Sequence, residues 1–183
     1  MKTTRSLRSR PWLRAAVLGL GLATGCTHTA ASTPSSRAQD SRSRARAYLE
    51  ENQPEKALTL LRELHLQAPD DLDVARSLTE AHVKAGRTDA WIAELQGRLA
   101  TGERAVDQYM LGLALFSRAR DAGAPAVAAF ERAIALSPET AEFHYRLGLA
   151  RLESEQYPAA VEPLRRATTL APERTGWRLP LAK

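Results

Sequence analysis

The sequence predicts an all-α fold: a right-handed solenoid of antiparallel helix pairs, about four units long. Three observations carry that expectation. Ala, Leu, Arg and Glu dominate the chain, while only three Phe and four Tyr are present among 183 residues; these are helix formers around a core of small and branched side chains. Apolar residues recur at spacings of three and four through the part of the chain after residue 37, which is the period of an amphipathic helix. The chain is also similar to itself. Tyr109-Met-Leu-Gly-Leu-Ala114 matches Tyr145-Arg-Leu-Gly-Leu-Ala150 in five of six positions at a spacing of 36. Phe130-Glu-Arg-Ala133 corresponds to Leu164-Arg-Arg-Ala167 at a spacing of 34, and each is followed by a proline, Pro138 or Pro172. A fixed period of this length marks stacked helical hairpins.

Residues 1–25 read as a secretory leader. A basic stretch runs to Arg14, a nine-residue apolar run follows from Ala15 to Ala23, and small residues precede Cys26. That is the three-part pattern of a signal peptide. The apolar run is shorter than the roughly 20 residues needed to span a bilayer. The segment Leu22 to Cys26 (LATGC) resembles the lipobox of bacterial lipoproteins, although Ala23 stands where that family usually has Leu. The resemblance implies cleavage before Cys26, acylation of Cys26 and anchoring to a membrane. Two or more acyl chains give stable anchoring. Thr27, rather than Asp, follows the cysteine, which resembles an outer-membrane address facing the periplasm. The alternative is a plain secreted protein with a free thiol. Residues 26–41 are polar and small, and are expected to be a tether overlapping the start of the first repeat; His28 within it reads as solvated.

The repeats follow in order, at about 37–70, 72–104, 105–140 and 141–174, with a short tail at 175–183. The first keeps Ala45, Tyr48, Ala57, Leu61 and Pro69. The second is degenerate: it keeps Leu78, Gly86 and Leu95, but has Thr79, Trp91 and Arg98 at small-residue places and no proline. A tryptophan there is expected to push its helix outward or turn to the surface. The third shows Leu111, Gly112, Ala126, Phe130, Ala133 and Pro138, with an insertion in the turn Ser117 to Pro125. The fourth shows Leu147, Gly148, Ala160, Leu164, Ala167 and Pro172. Small residues sit where paired helices approach closely, and proline ends a helix because it cannot donate to the ladder. These residues resemble the tetratricopeptide repeat. The resemblance implies a concave surface built from the first helix of each pair. By matched position, Arg76, Glu80 and Lys84 line it in the second unit. Tyr109, Leu113 and Phe116 follow in the third, and Tyr145, Leu149 and Leu152 in the fourth. The leucines have a second reading as core.

Charge argues against a nucleic-acid partner. The net charge of +5 equals the five basic residues of the leader, and the rest of the chain has 21 basic and 21 acidic residues. Cys26 is the only cysteine, so no intramolecular disulfide and no cysteine-based metal site are expected. No phosphate loop, nucleophile elbow or paired-histidine zinc motif is present. His65, His82 and His144 fall on separate helices, and Asp70-Asp71 reads as a helix start. The chain is expected to use no cofactor or metal and to catalyse nothing. The expected function is an anchored adaptor for a periplasmic protein or peptide. A narrower alternative resembles the pilotin lipoproteins that assist type IV pilus secretins, which tend to have six repeats rather than four. Only Thr175 to Lys183 remain to cover the last helix, so self-association through that end is a further expectation.

Overall fold

The computed structural model describes residues 34–118 and 123–177. The expected leader, Cys26, most of the tether, the centre of the 117–125 turn and the last six residues lie outside them. The described residues cluster as one compact unit. The described residues form eight helices and no strand: α1 (Pro34–Glu50), α2 (Pro54–Gln67), α3 (Leu72–Lys84), α4 (Thr88–Thr101), α5 (Ala105–Arg118), α6 (Gly123–Leu136), α7 (Ala141–Glu153) and α8 (Tyr157–Leu170). They are four helix pairs in a solenoid. Each second helix also packs on the first helix of the next pair. Residues 34–41, expected as tether, are the first turns of α1; Ala38 packs against the core from there.

Local sequence explains the turns. The first helices of three pairs end on a left-handed residue, Asn52 (φ 56°), Gly86 (φ 68°) and Glu155 (φ 58°). The residue after each donates its N–H back across the last turn: Gln53 to Tyr48 O at 2.7 Å, Arg87 to His82 O at 2.9 Å and Gln156 to Arg151 O at 2.8 Å. This is the Schellman geometry that satisfies the orphan carbonyls of a helix end. Asp71 caps α3 by accepting from the Val74 N–H at 3.0 Å, which fixes its role as a helix start. Pro69, Pro138 and Pro172 each follow a helix end by two residues.

Packing within the pairs rests on the small residues. A Cβ built on Gly112 would sit 2.5 Å from a ring carbon of Phe130, and one on Gly148 would sit 2.5 Å from Leu164 Cγ. The helices α5/α6 and α7/α8 therefore meet at van der Waals contact because those positions have no side chain. Ala45, Ala57, Ala126 and Ala160 are fully buried at the corresponding places of the other helices.

The second pair departs from this pattern. Trp91 does not turn to the surface: it is buried, stacks on His82 at 4.1 Å between ring centroids and has its indole N–H 3.3 Å from Thr79 Oγ1. Thr79 and His82 are also buried. The indole fills the space between α3 and α4, and those two helices approach far less closely than the partners of the other pairs. A flat ring and a threonine hydroxyl thus replace the glycine contact. At the other end of α4, Arg98 fills a second small-residue place. Its Nη2 lies 3.3 Å from His65 Nε2 on α2 and 2.8 Å from Asp107 Oδ1 on α5. The approach to Asp107 is close enough for an ion pair but is not aligned as a hydrogen bond. Burial and the neighbouring Arg98 guanidinium hold His65 below its ordinary pKa. A neutral ring keeps an acceptor available to Arg98.

Candidate protein-binding groove

The first helices α1 and α3 leave an open groove between them. Its upper part, about 200 Å³, is lined by Gln39, Arg42, Ser43 and Arg46 of α1 with Asp73, Val74 and Ser77 of α3. It continues, through Arg46 and Ser77, into about 280 Å³ beside Leu49, Glu50, Arg76, Glu80 and Lys84. The helical repeat explains the lining. Gln39, Arg42, Ser43 and Arg46 are spaced by three and four on one face of α1, and Asp73, Arg76, Ser77, Glu80 and Lys84 do the same on α3. Serines at 43 and 77 keep the floor open.

Most of the charges in the groove are already paired along its walls. Arg42 reaches Asp71 at 2.7 Å, Arg76 reaches Asp73 at 2.8 Å and Lys84 reaches Glu80 at 3.2 Å. Lys84 Nζ also donates to the Leu49 carbonyl at 2.9 Å, holding α1 to α3. Such exposed pairs contribute little to stability, roughly 0–1 kcal/mol each, but they tie the guanidinium and ammonium groups to fixed partners along the groove. Arg46, exposed at its centre, has no ion pair among the described residues.

Arg76 and Glu80 both line this groove, with Lys84 beside them. The expected aromatic stripe does not. Tyr109 is fully buried: its ring packs 5.2 Å from that of Phe143 and 6.3 Å from that of Phe130. Its hydroxyl donates to Glu142 at 3.3 Å, and burial raises the phenol pKa well above its ordinary value. Tyr109 is a core residue because Phe143 and Glu142 of α7 cover it, and Leu113, one turn further along α5, is buried in the same core. Tyr145 is half-buried under Trp177, with centroids 4.6 Å apart and planes within 12°. Leu149 is half-buried on α7. Sequence reading passed over Gln39, Ser43 and Ser77. The signal that marks them is a polar run at spacings of three and four on two consecutive first helices.

Among the described residues no cluster of three or more His, Cys, Asp or Glu side chains is arranged to hold a metal ion. No helix among them is long and apolar enough to cross a membrane.

Comparison with known proteins agrees with this geometry. Residues 109–174 match the family model of the tetratricopeptide repeat. No curated protein matches the chain in sequence. Among solved structures, the chain is similar to TTC0263, a thermophilic tetratricopeptide-repeat protein in Thermus thermophilus. The TM-score is 0.57 at 19% identity, over 79% of each chain. It is also similar to the crystal structure of MamA (TM-score 0.53, 20% identity, 75% of this chain and 80% of that one) and to MamA of AMB-1 (TM-score 0.52, 22% identity, 81% and 80%). At these identities the likeness is one of fold. Residues 109–174 match the tetratricopeptide-repeat model, and the four helix pairs around and including them form an all-α helical-repeat solenoid similar in fold to these structures.

Proposed function

We propose that this chain is a non-catalytic adaptor of the bacterial envelope, tethered to the outer membrane through an acylated Cys26 and holding a protein partner near the membrane from its periplasmic side. The observation that carries the binding part is the open groove between α1 and α3. Its walls carry charges held in ion pairs, and its centre offers the exposed Arg46 and two serines. An extended peptide with polar or acidic side chains suits such a surface, since the helices are fixed before binding and little order has to be gained. The anchoring part rests on the leader and the LATGC segment. Assistance to secretin assembly is the narrower form of the same reading.

Site-specific photo-crosslinking from Ser77 and Arg46 in cells tests the groove. A discrete protein adduct from these positions, absent from a probe at Leu66 on the opposite side of the α1/α2 pair, is the expected result. Loss of secretin multimers on deletion of the chain would select the narrower form. Cys26→Ala is expected to release the protein from membranes; a variant that stays membrane-bound refutes the anchor.

A further inference from the structure

The repeat register extends past the last helix. Trp177 stands 34 residues after Phe143, and it does for Tyr145 what Phe143 does for Tyr109: an aromatic ring laid on the tyrosine of the preceding first helix. Trp177 also packs on Ala167 and Ala171. One short turn at residues 175–177 therefore closes the C-terminal half of α8 in the manner of a next first helix. The other half of α8 is not closed by any described residue.

Its free row is identified by the repeat. On α6, Gly123, Val127 and Glu131 face α7: a Cβ on Gly123 would collide with Ser154, Val127 packs against the core and Glu131 pairs with Arg151 at 2.6 Å. The residues 34 positions later are Tyr157, Val161 and Arg165 on α8. Tyr157 is 59% exposed and Val161 52% exposed, and among the described residues Arg165 pairs with Glu162 one turn away, at 2.6 Å. Tyr157 in the place of Gly123 prevents another repeat from seating at the same depth. The N-terminal end of the array is no complement either, since α1 offers Asp40 and Arg44, both exposed, on the flank where a preceding unit would pack.

We infer that this row is the contact between two copies of the chain, with α8 packed antiparallel on the partner's α8 about a twofold axis at Val161. The row is self-complementary in that arrangement and in no parallel one. Val161 meets its own copy, and Tyr157 lies opposite Arg165 of the partner subunit, an aromatic face against a guanidinium. A contact along about 12 Å of each helix, from Tyr157 to Arg165, falls at the small end of specific interfaces, so the dimer is weak and reversible.

The test is disulfide trapping in the full chain, with Cys26 of the unaltered protein as background. Val161→Cys is expected to give a dimer of twice the mass that grows with protein concentration. Leu66→Cys on α2, more accessible than Val161 at 82% exposed, is expected to stay at background. Adding Tyr157→Arg should cut the Val161→Cys dimer at least tenfold by setting arginine against arginine. Equal trapping from Val161→Cys and Leu66→Cys, or none from either, overturns the inference. So does a Val161→Cys dimer that forms only after residues 178–183 are removed, which would assign the row to the chain's own C-terminus. A Val161→Cys adduct of another mass would assign it to a different protein and overturn the inference in the same way.

Discussion

Replacing two glycines by alanine should change stability in opposite directions, and the structure says why. Gly97 lies in the interior of α4, exposed, with nothing within 4 Å of a built Cβ. Gly97→Ala there gains only the helix preference of alanine, about 1 kcal/mol. Gly148 lies in the interior of α7, where the same Cβ would sit 2.5 Å from Leu164 Cγ, 2.6 Å from Leu164 Cδ2 and 3.4 Å from the Leu164 amide nitrogen. Ordinary contact needs about an ångström more, and Leu164 is 1% exposed with no room to swing away. Relief requires α7 and α8 to part, an overpacking cost of about 1–3 kcal/mol. The same propensity gain offsets about 1 kcal/mol of this, so Gly148→Ala should lose up to about 2 kcal/mol. The two variants should therefore differ by about 1–3 kcal/mol. Because stability in a repeat array is a sum of unit and interface terms, the loss should concentrate in α7 and α8. Hydrogen exchange of their amides, alongside thermal melting of both variants, reads it. Gly148→Ala melting at or above Gly97→Ala would refute the close-packed register of the last pair.

Glu155 occupies a left-handed conformation (φ 58°) at the turn where Gly86 and Asn52 stand in earlier repeats; Glu155→Gly should raise stability by about 1 kcal/mol, seen as a higher melting temperature, whereas Glu155→Val should lower it. Acid should weaken the second repeat. His82 is buried, and among the described residues neither ring nitrogen has a hydrogen-bond partner. Burial, with Arg62 and Arg87 nearby, pushes its pKa down to about 4. The unfolded chain, titrating near 6.5, then binds more protons than the folded one between those values. Stability should fall as pH drops from about 6.5 to about 4, by about 3 kcal/mol in total, and level off below. Denaturant titrations across that range check it, and a slope that survives in His82→Phe would assign the effect to another group.

The helical hairpins, their period and the close approaches were legible in the sequence, because each depends on residues a few turns apart. Gly112 meets Phe130 and Gly148 meets Leu164 inside single hairpins, and spacing alone places them. The groove was legible only in part. Arg76 and Glu80 follow from the register of the first helices, but Tyr109 and Tyr145, alike in sequence, differ in fate. Tyr109 has α7 beyond it and is sealed; Tyr145 has one turn and a tryptophan. Burial in a solenoid is decided by the next unit, and no local pattern encodes that. The second repeat makes the same point. Trp91 and Arg98 look like defects when compared with their neighbours in the repeat. The wider spacing of α3 and α4 admits the indole beside His82, and Arg98 reaches His65 and Asp107 on two other helices. By itself the sequence determined which helices form and which of their faces are small. The stacking of one pair on another decided which side chains are left to meet a partner, because a residue's exposure is set by what packs across from it.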